Sequence, residues 1–88
     1  MIIRIDKSFD RDQKKIRDRK ILLEIVRIIE SAKSVSSIDQ IPGIKKLKGF
    51  KEFYRIRIGD FRVGIVVKGN VIEFIRILNR KEIYRFFP

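Results

Sequence analysis

The sequence predicts an α+β domain in which two N-terminal helices pack on one face of a four-stranded, mainly antiparallel sheet. In the first half of the chain, apolar residues recur at helical spacing. In the second half the spacing changes to two residues, and the pairs Gly59-Asp60 and Gly69-Asn70 separate three apolar runs. The predicted element order is β-α-α-β-β-β, and we expect residues 1–88 to form a single domain.

The N-terminal segment is predicted to form a strand and a first helix. Residues 1–5 are mostly apolar and β-branched, which favours a strand that joins the sheet. We expect the first helix at about residues 9–17, because Ser8 or Asp10 can cap it and Asp10 has capping-box spacing to Gln13. Most of this helix is polar.

A second, strongly apolar helix is predicted over residues 19–33, with Asp18 as its N-cap. Its large apolar residues recur at the spacing of one buried helix face. That stripe and the row beside it comprise Leu22, Ile25, Ile29 and Ala32, with Ile21 and Ile28.

Residues 34–49 are predicted to form a connector, with a turn at Pro42-Gly43. The three runs that follow predict an antiparallel meander. The third of them, residues 71–78, is apolar on both faces, which indicates an interior position in the sheet. We expect the tail, residues 81–88, to be a short helix or an extended end.

The charge of the chain favours a polyanionic partner. There are 22 Lys and Arg residues against 11 Asp and Glu, a net charge of +11. Residues 45–88 hold twelve of the basic residues and four of the acidic ones. A nucleic acid, an anionic membrane or an acidic protein would suit this balance, and a merely basic, solvated surface is the alternative.

The chain has neither cysteine nor histidine. Disulfides and thiolate metal sites are therefore excluded, and the commonest acid/base group at neutral pH is missing, so we expect no metal and no cofactor. The N-terminus does not resemble a signal peptide, and no apolar run has the length of a membrane-spanning helix. We expect a soluble, cytoplasmic protein without a membrane partner.

Arginines alternate with large apolar residues where the meander begins. Arg55 and Arg57 are predicted to share one face of the first strand, and the hairpin would place Arg57 diagonally near Arg62 of the next. Like charges on neighbouring strands destabilise a sheet, so this cluster indicates a missing anion, and a guanidinium suits phosphate. The alternative is that these arginines are solvated and loosely paired with Glu52, Asp60 or Glu73.

The position of two further arginines stays open. Strict alternation places Arg76 and Arg80 on one face of the last strand, together with Ile72, Phe74 and Leu78. The pattern does not decide whether this is the face that carries the other arginines.

Two other sets of basic residues are candidate nucleic-acid contacts, because phosphate backbones attract clustered Lys and Arg side chains. One set lies on the polar first helix and just beyond its end, and the other lies after the connector turn. They are Lys14, Lys15, Arg17 and Arg19, and Lys45, Lys46, Lys48 and Lys51.

The stretches "KKLKGFKEFYRIRIGDFRVGIVV" and "VIEFIRILNRKEIYRF" resemble the RelE/ParE superfamily of toxins from type II toxin–antitoxin systems. The shared pattern comprises Leu47, Gly49, the segment Tyr54 to Val63, Arg80 and Tyr84. The opening "IRIDKSFDRDQKKI" is similar to the first strand and helix of that family. The resemblance implies a fold of two helices on a four-stranded sheet, which agrees with the layout predicted above.

The resemblance implies one of two activities. RelE-like members enter the ribosomal A site and cut mRNA by metal-independent 2′-hydroxyl transesterification, whereas ParE-like members inhibit DNA gyrase without nuclease chemistry. We expect a RelE-like mRNA interferase that inhibits translation. A ParE-like inhibitor and a catalytically inactive RNA-binding homologue are the alternatives. For the interferase, the family's catalytic positions match Arg55, Arg57, Arg62, Arg80 and Tyr84.

This chain departs from the best-known pattern of the family, which has lysines at positions 55 and 57. Arginine does not readily lose its proton, so Arg55 and Arg57 can hold phosphate but are poor general bases. Tyr84 is then the expected proton shuttle, with Glu52 as the next choice.

The resemblance also implies protein and RNA partners. These are a cognate antitoxin, the ribosome and mRNA, with a toxin–antitoxin hetero-oligomer as an expected assembly. We expect Ile83, Phe86 and Phe87 of the tail to receive the antitoxin. The alternative is that the phenylalanines fold back onto the core.

Overall fold

Two helices cover one face of a five-stranded sheet in the computed structural model, which describes residues 1–88. The α+β class and the order of helices before the meander are as predicted, with one strand more than expected. No helix combines the length and the apolar character needed to cross a membrane. In chain order the elements are β1 (Ile2–Ile5), α1 (Lys7–Lys14), α2 (Arg19–Ser34), a 3₁₀ turn (Ile38–Gln40), β2 (Ile44–Lys46), β3 (Phe53–Ile58), β4 (Phe61–Lys68), β5 (Val71–Asn79) and α3 (Ile83–Phe86).

The strands lie in the order β1-β5-β4-β3-β2, and only β1 and β5 run parallel. The prediction of a meander with an interior third strand is confirmed, because β5 lies between β1 and β4. The additional strand is β2, three residues inside the predicted connector, which pairs with β3 through Ile44 and Ile56. Three residues are too few to show a strand periodicity in the sequence.

The first helix begins earlier than predicted. It runs over Lys7–Lys14, and its N-cap is Asp6 rather than Ser8 or Asp10. The Asp6 carboxylate accepts hydrogen bonds from the backbone N–H of Ser8, at 3.1 Å, and from the Ser8 hydroxyl. The backbone N–H of Asp6 also donates to the carbonyl of Phe74, at 2.9 Å, so the chain leaves the sheet and enters the helix at one residue.

The second helix begins after Asp18, as predicted, and the Asp18 carboxylate accepts the N–H groups of Lys20 and Ile21. Its buried stripe is rotated slightly from the predicted one. Leu22 and Ile29 lie at the margin, half-buried, and the fully buried positions are Ile21, Ile25, Ile28 and Ala32.

The core lies between these helices and the sheet and consists mainly of isoleucine. Phe9 of α1 packs edge-to-face on Phe74 of β5, with ring centroids 5.6 Å apart. The sheet contributes buried side chains from its three central strands: Ile56, Ile58, Val63, Ile65, Ile72, Phe74 and Ile77.

A β-bulge in β5 changes which side chains face the core. Gly64 pairs with Arg76 and Ile65 pairs with Phe74, so Ile75 has no partner on β4. The alternation shifts at that point. Phe74 faces the helices, whereas Arg76 lies on the opposite face. Strict alternation, which had placed Ile72, Phe74 and Arg76 together, is therefore wrong for this strand.

Helix α1 satisfies the edge of β5 beyond the end of β1. The Ser8 hydroxyl lies within hydrogen-bonding distance of the carbonyl of Ile75 and shares its one proton between that carbonyl and the Asp6 carboxylate. The Asp12 carboxylate accepts the N–H of Ile77 at 3.0 Å. Asp12 also binds the Arg76 guanidinium through two bonds, of 2.7 and 3.0 Å, which raises the pKa of Arg76. These bonds fix α1 against the strand that carries the bulge.

Candidate nucleic-acid interface

The face of the sheet opposite the helices, here called the outer face, carries the arginines of the meander. Tyr54 packs against the core, so its neighbours Phe53 and Arg55 point away from it. The cross-strand pairs extend this face over the neighbouring strands. Its residues include Lys45 of β2, Phe53, Arg55 and Arg57 of β3, Arg62, Gly64 and Val66 of β4, and Glu73 and Arg76 of β5.

Like charges lie directly opposite one another on the outer face. Arg57 and Arg62 are cross-strand partners, not the diagonal neighbours that the hairpin had predicted. Lys45 and Arg55 form a second such pair. Arg80 follows the end of β5, and its backbone N–H donates to the carbonyl of Asp60 at 2.8 Å, which places it beside the β3–β4 turn.

Arg55, Arg57, Arg62 and Arg80, here called the arginine cluster, form no ion pairs. The three ion pairs of the chain are Glu24 with Arg27, Glu30 with Lys33 and Asp12 with Arg76. No arginine of the cluster forms an ion pair with Glu52, Asp60 or Glu73, and Arg57 and Arg80 are exposed to solvent.

Neutral backbone carbonyls hold part of the arginine cluster in place. One nitrogen of Arg62 donates to the carbonyls of Gly59 and Phe61, both at 2.9 Å. Arg55 donates to the carbonyl of Gly43 at 3.0 Å. These bonds restrain the guanidiniums without neutralising them.

The electrostatic effect of this arrangement is largest at Arg62. Partial burial lowers the pKa of Arg62, and the charges of Arg57, Arg55 and Arg80 lower it further, whereas Tyr84 acts in the opposite direction. An arginine remains protonated despite such a shift. Burial is the first cause of this shift, and the neighbouring positive charges that add to it are what a bound anion would offset.

The C-terminal tail crosses the outer face. Phe87 is buried and its ring lies on Gly64, where an added Cβ would come within 2.5 Å of ring atoms. The same ring contacts Phe53, with centroids 5.5 Å apart. Gly64 leaves the space that this ring needs, a close approach that a glycine inside the predicted strand could have indicated.

The tail residues expected to receive an antitoxin differ in exposure. Ile83 and Phe87 are buried in the chain by itself, and Phe87 folds back as the alternative has it, so only Phe86 of the three is accessible. Phe86 is 53% exposed, and the Arg76 guanidinium lies 5.2 Å from its ring centroid. Tyr84, expected as the proton shuttle, is 59% exposed.

Both sets of further basic residues are exposed. Helix α1 ends at Lys14, earlier than predicted. Lys15 and Arg17 therefore lie between the two helices, and Arg19 begins α2. Lys15 shares a depression with Arg76. In the other set, Lys45 and Lys46 belong to β2, and Lys48 and Lys51 lie in the loop before β3.

Sequence reasoning missed the contribution of the phenylalanines to this face. Phe50, 46% exposed, stacks on Phe53 with ring centroids 5.5 Å apart and an angle of 16° between the planes. An aromatic residue within the lysine-rich stretch of the sequence was the available signal. No group of three or more His, Cys, Asp or Glu side chains is placed to hold a metal ion.

Comparison with known proteins identifies the family of the chain. Residues 3–84 match the family described as the ParE toxin of type II toxin–antitoxin systems. Toxin RelE3 of Methanocaldococcus jannaschii is 51% identical over 39 residues, which cover 44% of this chain and 44% of that protein. The aligned segment thus spans less than half of that curated relative.

Solved structures agree over nearly the whole chain. A chain of the RelB–RelE antitoxin–toxin complex from Methanococcus jannaschii superposes with a TM-score of 0.83 at 40% identity, covering 97% of this chain and 99% of that one. The archaeal RelE–RelB complex from Pyrococcus horikoshii gives a TM-score of 0.73 at 19% identity, over 90% and 93% of the two chains, and shares the fold. This chain belongs to the RelE/ParE superfamily and is a toxin of a type II toxin–antitoxin system.

Proposed function

We propose that this toxin is a ribosome-dependent endoribonuclease that cuts mRNA without a metal ion and so inhibits translation. The observation that carries the proposal is the arginine cluster, in which Arg57 and Arg62 oppose each other on the outer face and no member pairs with a carboxylate. The exposed Tyr84 acts electrostatically on Arg62. Uncompensated guanidiniums at fixed positions suit a phosphate that gains negative charge during the reaction.

The proposed reaction is a displacement at phosphorus within the RNA. The 2′-hydroxyl loses its proton and its oxygen forms a bond to the adjacent phosphorus, while the bond from phosphorus to the 5′-oxygen breaks. The leaving oxygen takes up a proton. The products are a 2′,3′-cyclic phosphate and a 5′-hydroxyl.

The roles of the residues follow from what each group can do with a proton. The arginine cluster binds the phosphate and stabilises its added charge, because a guanidinium donates hydrogen bonds but does not act readily as a base. Arg62 is the central member, since Arg57 lies directly opposite it and Arg80 and Tyr84 act on it electrostatically. The Tyr84 hydroxyl can both donate and accept a hydrogen bond, which suits a proton shuttle.

The partners follow from the same surface. The +11 charge would attract the backbones of rRNA and mRNA in a salt-dependent way. We also propose that an antitoxin, acidic where it binds the toxin, neutralises the outer face in a hetero-oligomer in the cytoplasm, with Phe86 as an exposed apolar contact. The RelB–RelE complexes among the structural relatives support such a partner.

The test is primer extension on an mRNA incubated with purified protein and programmed 70S ribosomes. We expect new cuts within codons that need the ribosome. Loss of one charge-stabilising donor should reduce the rate about 10²–10³-fold in Arg62→Ala, and loss of the shuttle about 10²–10⁴-fold in Tyr84→Phe. Arg27→Ala removes an exposed arginine of α2 that pairs with Glu24, and it should cut like the wild type.

The outcomes separate the alternatives. Absence of cuts in the wild type would contradict the nuclease. Cuts that survive Tyr84→Phe would keep the nuclease and transfer the proton shuttle to another group, with Glu52 first in line.

Inhibition of DNA gyrase is a second candidate, because the matching family description names ParE toxins. Such an inhibitor binds a protein target and needs no proton shuttle. A gyrase supercoiling assay tests it: inhibition that persists in Tyr84→Phe, without RNA cleavage, would favour this candidate over the nuclease.

A further inference from the structure

We propose that Phe50 is a stacking site for an unpaired base of single-stranded RNA. The site lies on the loop between β2 and β3, residues 47–52, here called the β2–β3 loop. It deepens the proposed action on RNA, on which it rests, by adding a base contact to a surface that otherwise offers charge.

The ring of Phe50 is exposed and held in place. Almost half of the residue, 46%, is accessible, while the ring is stacked nearly parallel on Phe53. The loop beneath it is closed by two backbone hydrogen bonds, from Leu47 to the carbonyl of Phe53 at 2.9 Å and from Phe50 to the carbonyl of Leu47 at 3.3 Å. A ring fixed in this way loses little conformational entropy when a base stacks on it.

The charges around Phe50 favour a nucleic acid over a protein partner. Phe50 shares a shallow depression with Lys46, Lys48 and Lys51, and none of these lysines is in an ion pair. The core of a protein interface is depleted of charge, and lysine is among the residues it lacks. An exposed aromatic ring among unpaired cations is the combination that binds single strands, through base stacking and phosphate attraction.

The β2–β3 loop continues directly into the arginine cluster. Phe53, Arg55 and Arg57 follow one another on the same face of β3, about 7 Å apart at each step. Phe50 rests on the first of them. An RNA strand with its reacting phosphate at Arg57 and Arg62 can therefore pass along β3 and place a nearby base on Phe50.

The location of the other exposed apolar residues agrees with this assignment. The exposed aromatic residues are Phe50, Tyr84 and Phe86, of the β2–β3 loop and the tail. The large exposed aliphatic residues lie elsewhere, on β1 and α2: Ile2, Ile5, Leu23 and Val26. The rings that can stack on bases are thus found on the basic side of the molecule.

The first test uses a fluorescent reporter at the site. The chain has no tryptophan, so Phe50→Trp introduces a single indole. We expect its fluorescence to be quenched on titration with a single-stranded RNA oligonucleotide. An abasic oligonucleotide of the same length carries the same phosphates without bases, and it should bind without comparable quenching. Equal responses to the two ligands would overturn the stacking site.

The second test compares variants of the ring itself. Phe50→Leu keeps an apolar side chain but removes the aromatic face, and it should weaken oligonucleotide binding about 5- to 150-fold at fixed salt. Phe50→Tyr should bind like the wild type. The salt dependence of binding should be unchanged in Phe50→Leu, because no charge is lost, and shallower in Lys48→Ala. Wild-type affinity in Phe50→Leu would overturn the site.

The ribosome assay distinguishes failure of this site from failure of the nuclease. Base-dependent quenching without any cleavage would support the stacking site and contradict the nuclease. Cleavage and oligonucleotide binding that are both unchanged in Phe50→Leu would support the nuclease and contradict the stacking site. Thermal unfolding of each variant checks that the β2–β3 loop substitutions leave the fold intact.

Discussion

The helix-covered face of the sheet and its outer face are built from different residue types. The first is filled with aliphatic side chains, and Ile56, Ile65 and Ile72 have no accessible surface. The second places Arg57 opposite Arg62 and Lys45 opposite Arg55, and its cover is a short tail anchored by Phe87. One sheet therefore carries a continuous apolar core on one side and concentrated positive charge on the other.

This difference separates residues that stabilise the fold from residues that the fold holds for another purpose. Burial of aliphatic side chains is the main favourable contribution to folding. Opposed like charges act against it. A pair such as Arg57 and Arg62 therefore fits the phosphate binding proposed above, and each face should respond to substitution in its own way.

The largest effect on stability is expected on the helix-covered face. Ile65→Ala removes a fully buried side chain from β4, and it should lower the free energy of unfolding by about 2–5 kcal/mol through lost burial and the cavity left behind. Urea unfolding measures this change. Val66→Ala, on the same strand but half-buried on the outer face, is the matched control and should lose less. Equal losses would erase the distinction between the faces.

A smaller effect is expected where the tail meets the outer face. Gly64→Ala forces Phe87 to move, because the new methyl group would meet its ring, and should cost about 1–3 kcal/mol. Displacing the tail should also slow any reaction that depends on Tyr84. In a Phe87→Ala background the same substitution should cost much less, which a double-mutant cycle measures. An unchanged cost in that background would show that the ring is not what Gly64 accommodates.

Removing an opposed charge should produce a gain. Arg57→Gln relieves the repulsion with Arg62 and should raise the free energy of unfolding by about 0.2–1 kcal/mol at low salt. Added salt should reduce this gain through screening. Arg27→Gln, which breaks an exposed pair with Glu24, should produce no gain. Destabilisation by Arg57→Gln would contradict the view that the arginine cluster is held at a cost.

The smallest effect concerns pH and lies at the junction of β1 and α1. Hydrogen bonds from the Ser8 side chain and backbone hold the pKa of Asp6 below its ordinary value of 3.8. The pKa of Asp6 is thus lower in the folded state than in the unfolded state. The ionised carboxylate contributes its full stabilisation above the unfolded pKa, and this contribution is lost as the pH falls through the folded pKa.

Urea unfolding of the wild type and Asp6→Ala at two pH values tests this linkage. The wild type should be the more stable protein near neutral pH, and the difference in free energy of unfolding should narrow as the pH falls below 3.8. Asp6→Asn keeps a side chain that can cap the helix but cannot ionise, so the loss of stability that comes from protonating Asp6 should be absent in it. A difference between the wild type and Asp6→Ala that is independent of pH would exclude Asp6 ionisation as its cause.

The sequence predicted the elements that have strong local signals. The pairs Gly59-Asp60 and Gly69-Asn70 fix the hairpins, and Asp18 marks the start of α2. The bulge at Ile75 has no comparable signal, because Ile72 and Phe74 in one phase are as apolar as Ile75 and Ile77 in the other. Only pairing with β4 decides which phase faces the helices.

The candidate site was predicted only where a local pattern places its residues. Alternation along β3 placed Arg55 and Arg57 on one face. A two-residue loop that pairs Ile58 with Phe61 also sets Arg57 directly opposite Arg62, so the sequence held the signal that the diagonal placement overlooked. The burial of Ile83 and Phe87 depends on the tail finding Gly64, a long-range contact that no local pattern reports.

The side chains of Ser8 and Asp12 on the edge of β5 bear on whether one copy of this chain can pair with another. Unpaired strand edges are templates for aggregation. Here α1 occupies the part of β5 that β1 leaves uncovered, and the two remaining edges are short. β1 has four residues, and β2 has three, two of them lysines. A chain with these edges offers little strand for a second copy to extend, which disfavours edge-to-edge pairing between copies.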